Sequence, residues 1–372
     1  MRVGTPKEIK TDENRVGLVP ASVRELVHHG HAVLVETGAG LGIGFSDDDY
    51  RRAGATVAAT ADEVFGHSDL IVKVKEPQPA EIKRLSSRHT LFTYLHLAPD
   101  PAQAKGLVAS SCTAIAYETV TDERGALPLL APMSEVAGRM SIQVGAHCLE
   151  KEQGGSGVLL GGVPGVPAAR VVVLGGGVVG TNAARMAMGL EASLIVIDKA
   201  LPRLYALDLQ FGARLQTLYS TLDAIETSVV RADLVIGAVL VPGAAAPRLV
   251  SRDMVRRMRP GSVVVDVAID QGGCFETSRP TTHAQPTYVE EGVVHYCVTN
   301  MPGAVARTSA FALNNATLPF VMALADKGWK KALGDDPHLR RGLNICDGQI
   351  VYPAVAEALK LKLRTAEQVL RI

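Results

Sequence analysis

The sequence predicts an α/β protein built as two Rossmann-like doubly wound domains, the first of them discontinuous along the chain. Three observations predict this. The chain has 372 residues, more than the roughly 250 to 300 that one hydrophobic core usually serves. Short apolar runs alternate with helical stretches nearly throughout, the pattern of β-α-β units and parallel sheets. The alternation restarts near Arg170 with a second set of strand signals after a glycine-rich interruption.

In the first block, Ala32–Val35, Leu70–Val74, Leu91–Leu95 and Thr113–Tyr117 read as buried strands, because parallel strands covered on both faces are apolar runs rather than alternating ones. Helical stretches fill the intervals. Pro20–His29 places Val23, Leu26 and Val27 on one face behind a proline suited to a first turn. Next, 134–152 reads as a long helix capped by Ser134, and the glycine-rich run 154–170 marks the joint between domains. The second block carries strands at Val171–Leu174, Ser193–Ile197, Leu234–Gly237, Val263–Val267 and Val293–Val298. A helix over Thr308–Ala325 then returns the chain to the first domain. The expected division is 1–128 with 307–372 for one domain and 129–306 for the other.

Composition narrows the class of partner. Lysine plus arginine and aspartate plus glutamate both number 38, a balance without the basic footprint of a nucleic-acid or anionic-membrane binder. The longest uncharged stretch, 308–325, is interrupted by Asn314, Asn315 and Pro319, so it reads as a buried helix rather than a membrane span. The five cysteines are scattered with no C-x-x-C pair, which fits a reducing cytoplasm. The opening MRVGTPKEIK has charges where a signal peptide needs an apolar core. Small-molecule chemistry in the cytoplasm is the expectation.

The most legible motif is VVVLGGGVVGTNAARMA, in which Gly175, Gly177 and Gly180 form G-x-G-x-x-G between a strand and a helix. The first glycine serves a tight turn, the second close approach to a pyrophosphate and the third close helix–strand packing, so glycine is expected at each for steric reasons. The phosphate would sit at the helix N-terminus. The following strand ends at Asp198, near the spacing at which a carboxylate accepts hydrogen bonds from the adenosine ribose and repels a 2′-phosphate. NAD is therefore expected over NADP. The alternative is a glycine-rich turn with Asp198 as a solvated strand end.

The segment GTPKEIKTDENRVGLVP clusters Lys7, Glu8, Glu13 and Arg15 after the first strand. With VKVKEP (72–77), LFTYLHLA (91–98), ALPLLAPMSEVAGRM (126–140), the glycine fingerprint, VVVDVAIDQGGCFETSRPTTH (263–283) and NMPGAVARTS (300–309), the chain resembles the alanine dehydrogenase and nicotinamide nucleotide transhydrogenase α-subunit family over essentially its whole length. Gly17 stands where alanine is commoner in that family.

The resemblance implies NAD-dependent, reversible oxidative deamination of L-alanine to pyruvate and ammonia, in a homo-hexamer. It makes Arg15 and Lys75 the substrate binders, a task suited to cations that hold a carboxylate and polarise a carbonyl. It gives His96 the acid/base role, for which a group titrating near neutrality is apt, and Asp270 a proton-transfer or water-orienting one. It places Ser134, Val178, Val179, Arg203, Ser220, Val239, Leu240, Val267, Ala268, Ile269, Arg279, Val298, Thr299, Asn300 and Met301 around the dinucleotide with the three glycines and Asp198. Met133 would lie in the substrate pocket, though a methionine there packs as readily as it binds. Some family members hold a metal through a glutamate matching Glu118 and a histidine, but this chain has Lys327 at the later position, and no metal is assigned. Without the resemblance, Arg15 and Lys75 read as charges at strand ends, His96 as a structural hydrogen-bonding residue and Asp270 as a turn cap. Three rivals remain: a transhydrogenase α-type subunit, a saccharopine-type amino-acid dehydrogenase and an NAD-sensing module without turnover.

Overall fold

The computed structural model describes residues 1–239 and 246–371. The chain first forms β1 (Arg2–Thr5), β2 (Ala32–Glu36), β3 (Thr56–Ala58), β4 (Leu70–Val72), β5 (Thr90–Thr93) and β6 (Thr113–Ala116). It continues through β7 (Arg170–Leu174), β8 (Ser193–Asp198), β9 (Gln216–Tyr219), β10 (Leu234–Gly237), β11 (Val263–Asp266), β12 (Thr287–Glu290) and β13 (Val293–Tyr296), and closes with β14 (Leu343–Cys346) and β15 (Gln349–Ile350). Most of these strands are separated by helices, as the parallel connections demand.

Two compact units result, one of Met1–Met133 with Val305–Ile372 and the other of Ser134–Ala304. In the first unit the sheet order is β15-β14-β6-β5-β4-β1-β2-β3. It is parallel from β6 to β3, with β14 antiparallel to both β6 and β15. In the second unit the order is β12-β13-β11-β10-β7-β8-β9, with only the edge strand β12 antiparallel. Each sheet reverses its strand order beside its first strand, the switch point at whose carboxyl ends ligands bind in doubly wound sheets. Strands β4, β5, β6, β10 and β11 are buried along their whole length, in keeping with their largely apolar sequences.

Three sequence expectations shift. The long helix runs Ala131–Cys148 rather than from 134. Pro132, with its fixed φ, suits the first turn, so Ser134 lies inside the helix and caps nothing at its start. The divisions between units fall after Met133 and Ala304, beside the expected boundaries after 128 and 306, while the glycine-rich run 154–170 lies wholly within the second unit. The helix expected over 308–325 spans Ala306–Asp335, broken at Gly328 with φ of 72°. Beyond that break a second, charged helical segment runs to Asp335 with Ala332 and Leu333 buried. No helix among the described residues is long and apolar enough to cross a membrane.

Candidate functional site

The first unit gathers its chemistry at the carboxyl ends of four neighbouring strands. Glu8 and Arg15 follow β1, Lys75 follows β4, His96 follows β5 and Glu118 follows β6, and these strands adjoin in the order β6-β5-β4-β1. Arg15 is buried and gripped by Glu13, whose Oε1 accepts from Nε at 2.6 Å and whose Oε2 accepts from Nη2 at 2.5 Å. Such a two-pronged pair fixes the guanidinium plane. Burial works against the Arg15 charge, but Glu13 outweighs it and holds the guanidinium above its ordinary pKa. A third nitrogen, Nη1, donates to the Met133 sulfur at 3.0 Å, so Met133 packs on the substrate-binding candidate itself.

Lys75 is half-buried, and burial, with repulsion from Arg15 second, pulls its ammonium below the ordinary lysine pKa. Its backbone is held from both sides. The N–H donates to Glu8 Oε1 at 3.3 Å and the carbonyl accepts from Thr93 Oγ1 at 2.9 Å. Glu8 Oε1 also takes the Val74 N–H at 2.7 Å. Behind it Lys73, fully buried, lies 2.9 Å from Glu8 Oε2 and 2.7 Å from Glu81 Oε1. Burial opposes the Lys73 charge, yet the two carboxylates raise its pKa above the ordinary value, since a buried cation persists only when paired. Sequence reading singled out Lys75 but missed this triad, whose members are scattered over more than seventy residues.

His96 is exposed, and its N–H donates to Glu118 Oε1 at 2.6 Å. Lys327, at the position that put the metal site in doubt, bonds Asp335 at 2.9 Å on the surface. Among the described residues no group of three or more His, Cys, Asp or Glu side chains could hold a metal ion.

The second unit carries the dinucleotide candidates. Gly175 turns the chain with φ of 99°, and a Cβ there would stand 2.8 Å from the Ala238 carbonyl oxygen, beside Val239. A Cβ on Gly180 would stand 1.8 Å from the Gly175 oxygen, so the helix–strand approach excludes any side chain. Gly177 is open: among the described residues, nothing beyond its own chain neighbours and helix lies within 4 Å of a Cβ placed there, so the steric demand for glycine expected here would come from a bound group rather than from the fold. Val178 and Val179 open the helix Val178–Gly189, whose first turn receives no side-chain cap. Uncapped N–H groups beside an open Gly177 are a fitting cradle for a pyrophosphate.

Asp198 ends β8 with Oδ2 accepting from the Gly176 N–H at 2.6 Å and Oδ1 from the Ala200 N–H at 2.8 Å. It therefore shapes the glycine loop and retains lone pairs for a ribose. Arg203 binds the same loop through the Gly176 carbonyl and Thr181 hydroxyl, and the Ser220 N–H donates to the Asp198 carbonyl at 3.0 Å. Leu240 lies outside the described residues.

Asp270 sits exposed in the single turn Ile269–Gln271 just beyond β11, with Val267, Ala268 and Ile269 leading into it. Buried Asp266 staples both ends of that loop, accepting from the Ala268 N–H at 3.1 Å, the Cys274 N–H at 2.8 Å and the Ser278 hydroxyl at 2.6 Å. Arg279 lies over the Tyr288 ring, 3.8 Å from its centroid. Val298 bridges to Thr281, the Thr299 N–H donates to the Thr281 carbonyl at 3.4 Å, the Asn300 carbonyl accepts from His283 at 2.8 Å and Met301 is buried. Ser134 lies in the first half of the helix Ala131–Cys148.

Two family models cover the chain: alanine dehydrogenase/PNT, N-terminal domain, over residues 4–137, and alanine dehydrogenase/PNT, C-terminal domain, over residues 141–353. The chain belongs to the alanine dehydrogenase/PNT family. It is 63% identical over 362 residues to the alanine dehydrogenase of Halomonas elongata, covering 97% of this chain and 98% of that one. A solved L-alanine dehydrogenase superposes with a TM-score of 0.94 at 55% identity, over 97% of this chain and 99% of the other. A transhydrogenase from Sinorhizobium meliloti follows at a TM-score of 0.81 and 26% identity, over 95% and 100%. Both branches of the family's name thus appear among its structural relatives, the dehydrogenase at about twice the identity.

Proposed function

We propose that this chain catalyses the NAD-dependent, reversible oxidative deamination of L-alanine to pyruvate and ammonia. What carries the reading is the set Arg15, Lys75 and His96 on the carboxyl ends of adjacent strands, in a chain so close to alanine dehydrogenases along its full length. The first unit is the substrate domain and the second the NAD domain, with the glycine loop, Asp198 and Arg203 holding the dinucleotide. Asp198 repels a 2′-phosphate and so selects NAD. When bound, NAD supplies the nicotinamide that accepts hydride from the amino acid's α-carbon.

The chain's own residues manage the substrate and its protons. Arg15, preset by Glu13, holds the carboxylate without having to be ordered at binding. Lys75 adds a second cation that polarises the keto oxygen in the reverse direction. His96 takes a proton from the water that attacks the iminium carbon and returns one to the departing ammonia. Asp270 orients water or transfers a proton. Substrate and dinucleotide sites so built need no metal from Glu118.

The transhydrogenase reading is favoured by the family models' shared name and by the more distant structural match, and a saccharopine-type reading by nothing in the site. A cytoplasmic location fits five cysteines that are all free and buried, and a homo-hexamer is the assembly we infer; sedimentation analysis tests the latter. The direct test of function is product analysis. L-alanine with NAD should yield pyruvate and ammonia in equal amounts, while L-lysine with 2-oxoglutarate and NADH should yield nothing. Condensation of lysine with the keto acid, or NAD binding without pyruvate, would overturn the proposal.

A further inference from the structure

His96 stands in the left-handed region, with φ of 48°, a conformation uncommon for residues other than glycine. Such a conformation persists only where the surroundings over-determine it, and it marks sites where geometry matters. Three side chains do so here. Glu118 is nearly buried, and its Oε1 takes the His96 N–H at 2.6 Å while both its oxygens stand 3.2 Å from the Leu95 nitrogen. Gln103 Nε2 donates to the Leu95 carbonyl at 2.9 Å. The Tyr94 ring stacks on the imidazole, with centroids 5.8 Å apart and planes within 8°, and its hydroxyl is tied to the Leu129 carbonyl at 2.5 Å.

Of these, Glu118 alone grips the backbone of His96 itself. It arrives in the turn Tyr117–Thr119 directly after β6, and the register of β6 beside β5, Thr93 opposite Ala116, delivers it there. Its Oε1 is 3.9 Å from His96 Nδ1, beyond hydrogen-bond reach, so it bonds the peptide and leaves the ring nitrogens free.

We propose that Glu118 is the positioning residue for His96: its carboxylate, by holding the Leu95 and His96 amides, fixes the left-handed backbone that aims the imidazole at the substrate. This rests on the reading of His96 as the proton-transfer group, and the H96A arm of the test reports on that reading alone.

The test is a double-mutant cycle on E118A and H96A in the full-length protein, with E118Q alongside, measuring kcat and KM for L-alanine, NAD affinity and melting temperature. E118A should lower kcat by about tenfold to a hundredfold, the scale of a misplaced catalytic group, with alanine KM and NAD affinity within about threefold. E118Q keeps an acceptor oxygen and should recover most of that loss, which also separates positioning from a folding defect. In the H96A background E118A should cost less than about a further twofold, because it acts through a group already gone. A loss of kcat equally large in both backgrounds, or wild-type kcat in folded E118A, overturns the proposal while leaving His96 in place. Wild-type turnover by H96A overturns both.

Discussion

The tightest contact in the dinucleotide loop makes the sharpest prediction. An alanine at position 180 would place its Cβ 1.8 Å from the Gly175 carbonyl oxygen, whereas nonbonded carbon and oxygen settle at roughly 3.5 Å. The loop must therefore retreat by roughly 1.7 Å or the helix Val178–Gly189 must lift from its strand. Either movement takes the first-turn N–H groups out of reach of a pyrophosphate. A hydrogen bond to a charged group contributes about 1.5 to 3 kcal/mol, so losing one or two weakens NAD by about 3 kcal/mol, or on the order of a hundredfold in Kd. Gly189→Ala, at the other end of the same helix, meets nothing within 4 Å among the described residues. It should leave the Kd unchanged and stabilise the helix by up to about 1 kcal/mol. Titration calorimetry with NAD and a thermal melt on both variants decide the matter. Native affinity in Gly180→Ala would refute the placement of the phosphates at this loop.

Three further outcomes follow from the first unit. His96→Ala should reduce turnover at least about a hundredfold with NAD affinity nearly intact, and unchanged turnover removes His96 from the mechanism. Lys73→Met strands two buried carboxylates that the ammonium now separates at 2.9 and 2.7 Å, which should cost about 3 to 5 kcal/mol of stability; a melting temperature within a degree or so of wild type speaks against the buried triad. Burial, then Arg15, holds the Lys75 pKa below 10.5, so raising the pH strips its proton earlier than from a free lysine. Pyruvate, whose carboxylate stays ionised throughout, should bind more weakly as pH climbs through that depressed value, and Lys75→Arg should abolish the alkaline limb. An identical limb in the variant would assign the titration to another group.

Much of this was legible in the chain, and the failures are instructive. Strands β4, β5, β6, β10 and β11 announce themselves because burial on both faces leaves largely apolar runs, interrupted only at their ends by a threonine or aspartate. The edge strand β12 does not: TYVE mixes half-buried and exposed side chains, and Val289 faces solvent. Strand β3, three residues long, is too short for any period to show. The glycine loop was readable because the positive φ of Gly175 and the contact between Gly180 and Gly175 are local. The roles of Lys73 and Glu118 were not. In VKVKEP the lysines look alike, and only partners 65 residues before and 8 after make Lys73 the buried one. Glu118 drew notice as a metal-ligand match, whereas its peptide-holding role depends on a sheet register that brings it 22 residues back to His96. Long-range pairing, not local pattern, carries that information.

The central claim is best tested by following the absorbance of reduced nicotinamide on adding L-alanine to the protein with NAD at alkaline pH, beside parallel reactions with NADP and with D-alanine. The account predicts rapid reduction that requires both L-alanine and NAD. No reduction, in a protein that demonstrably binds NAD, would contradict it.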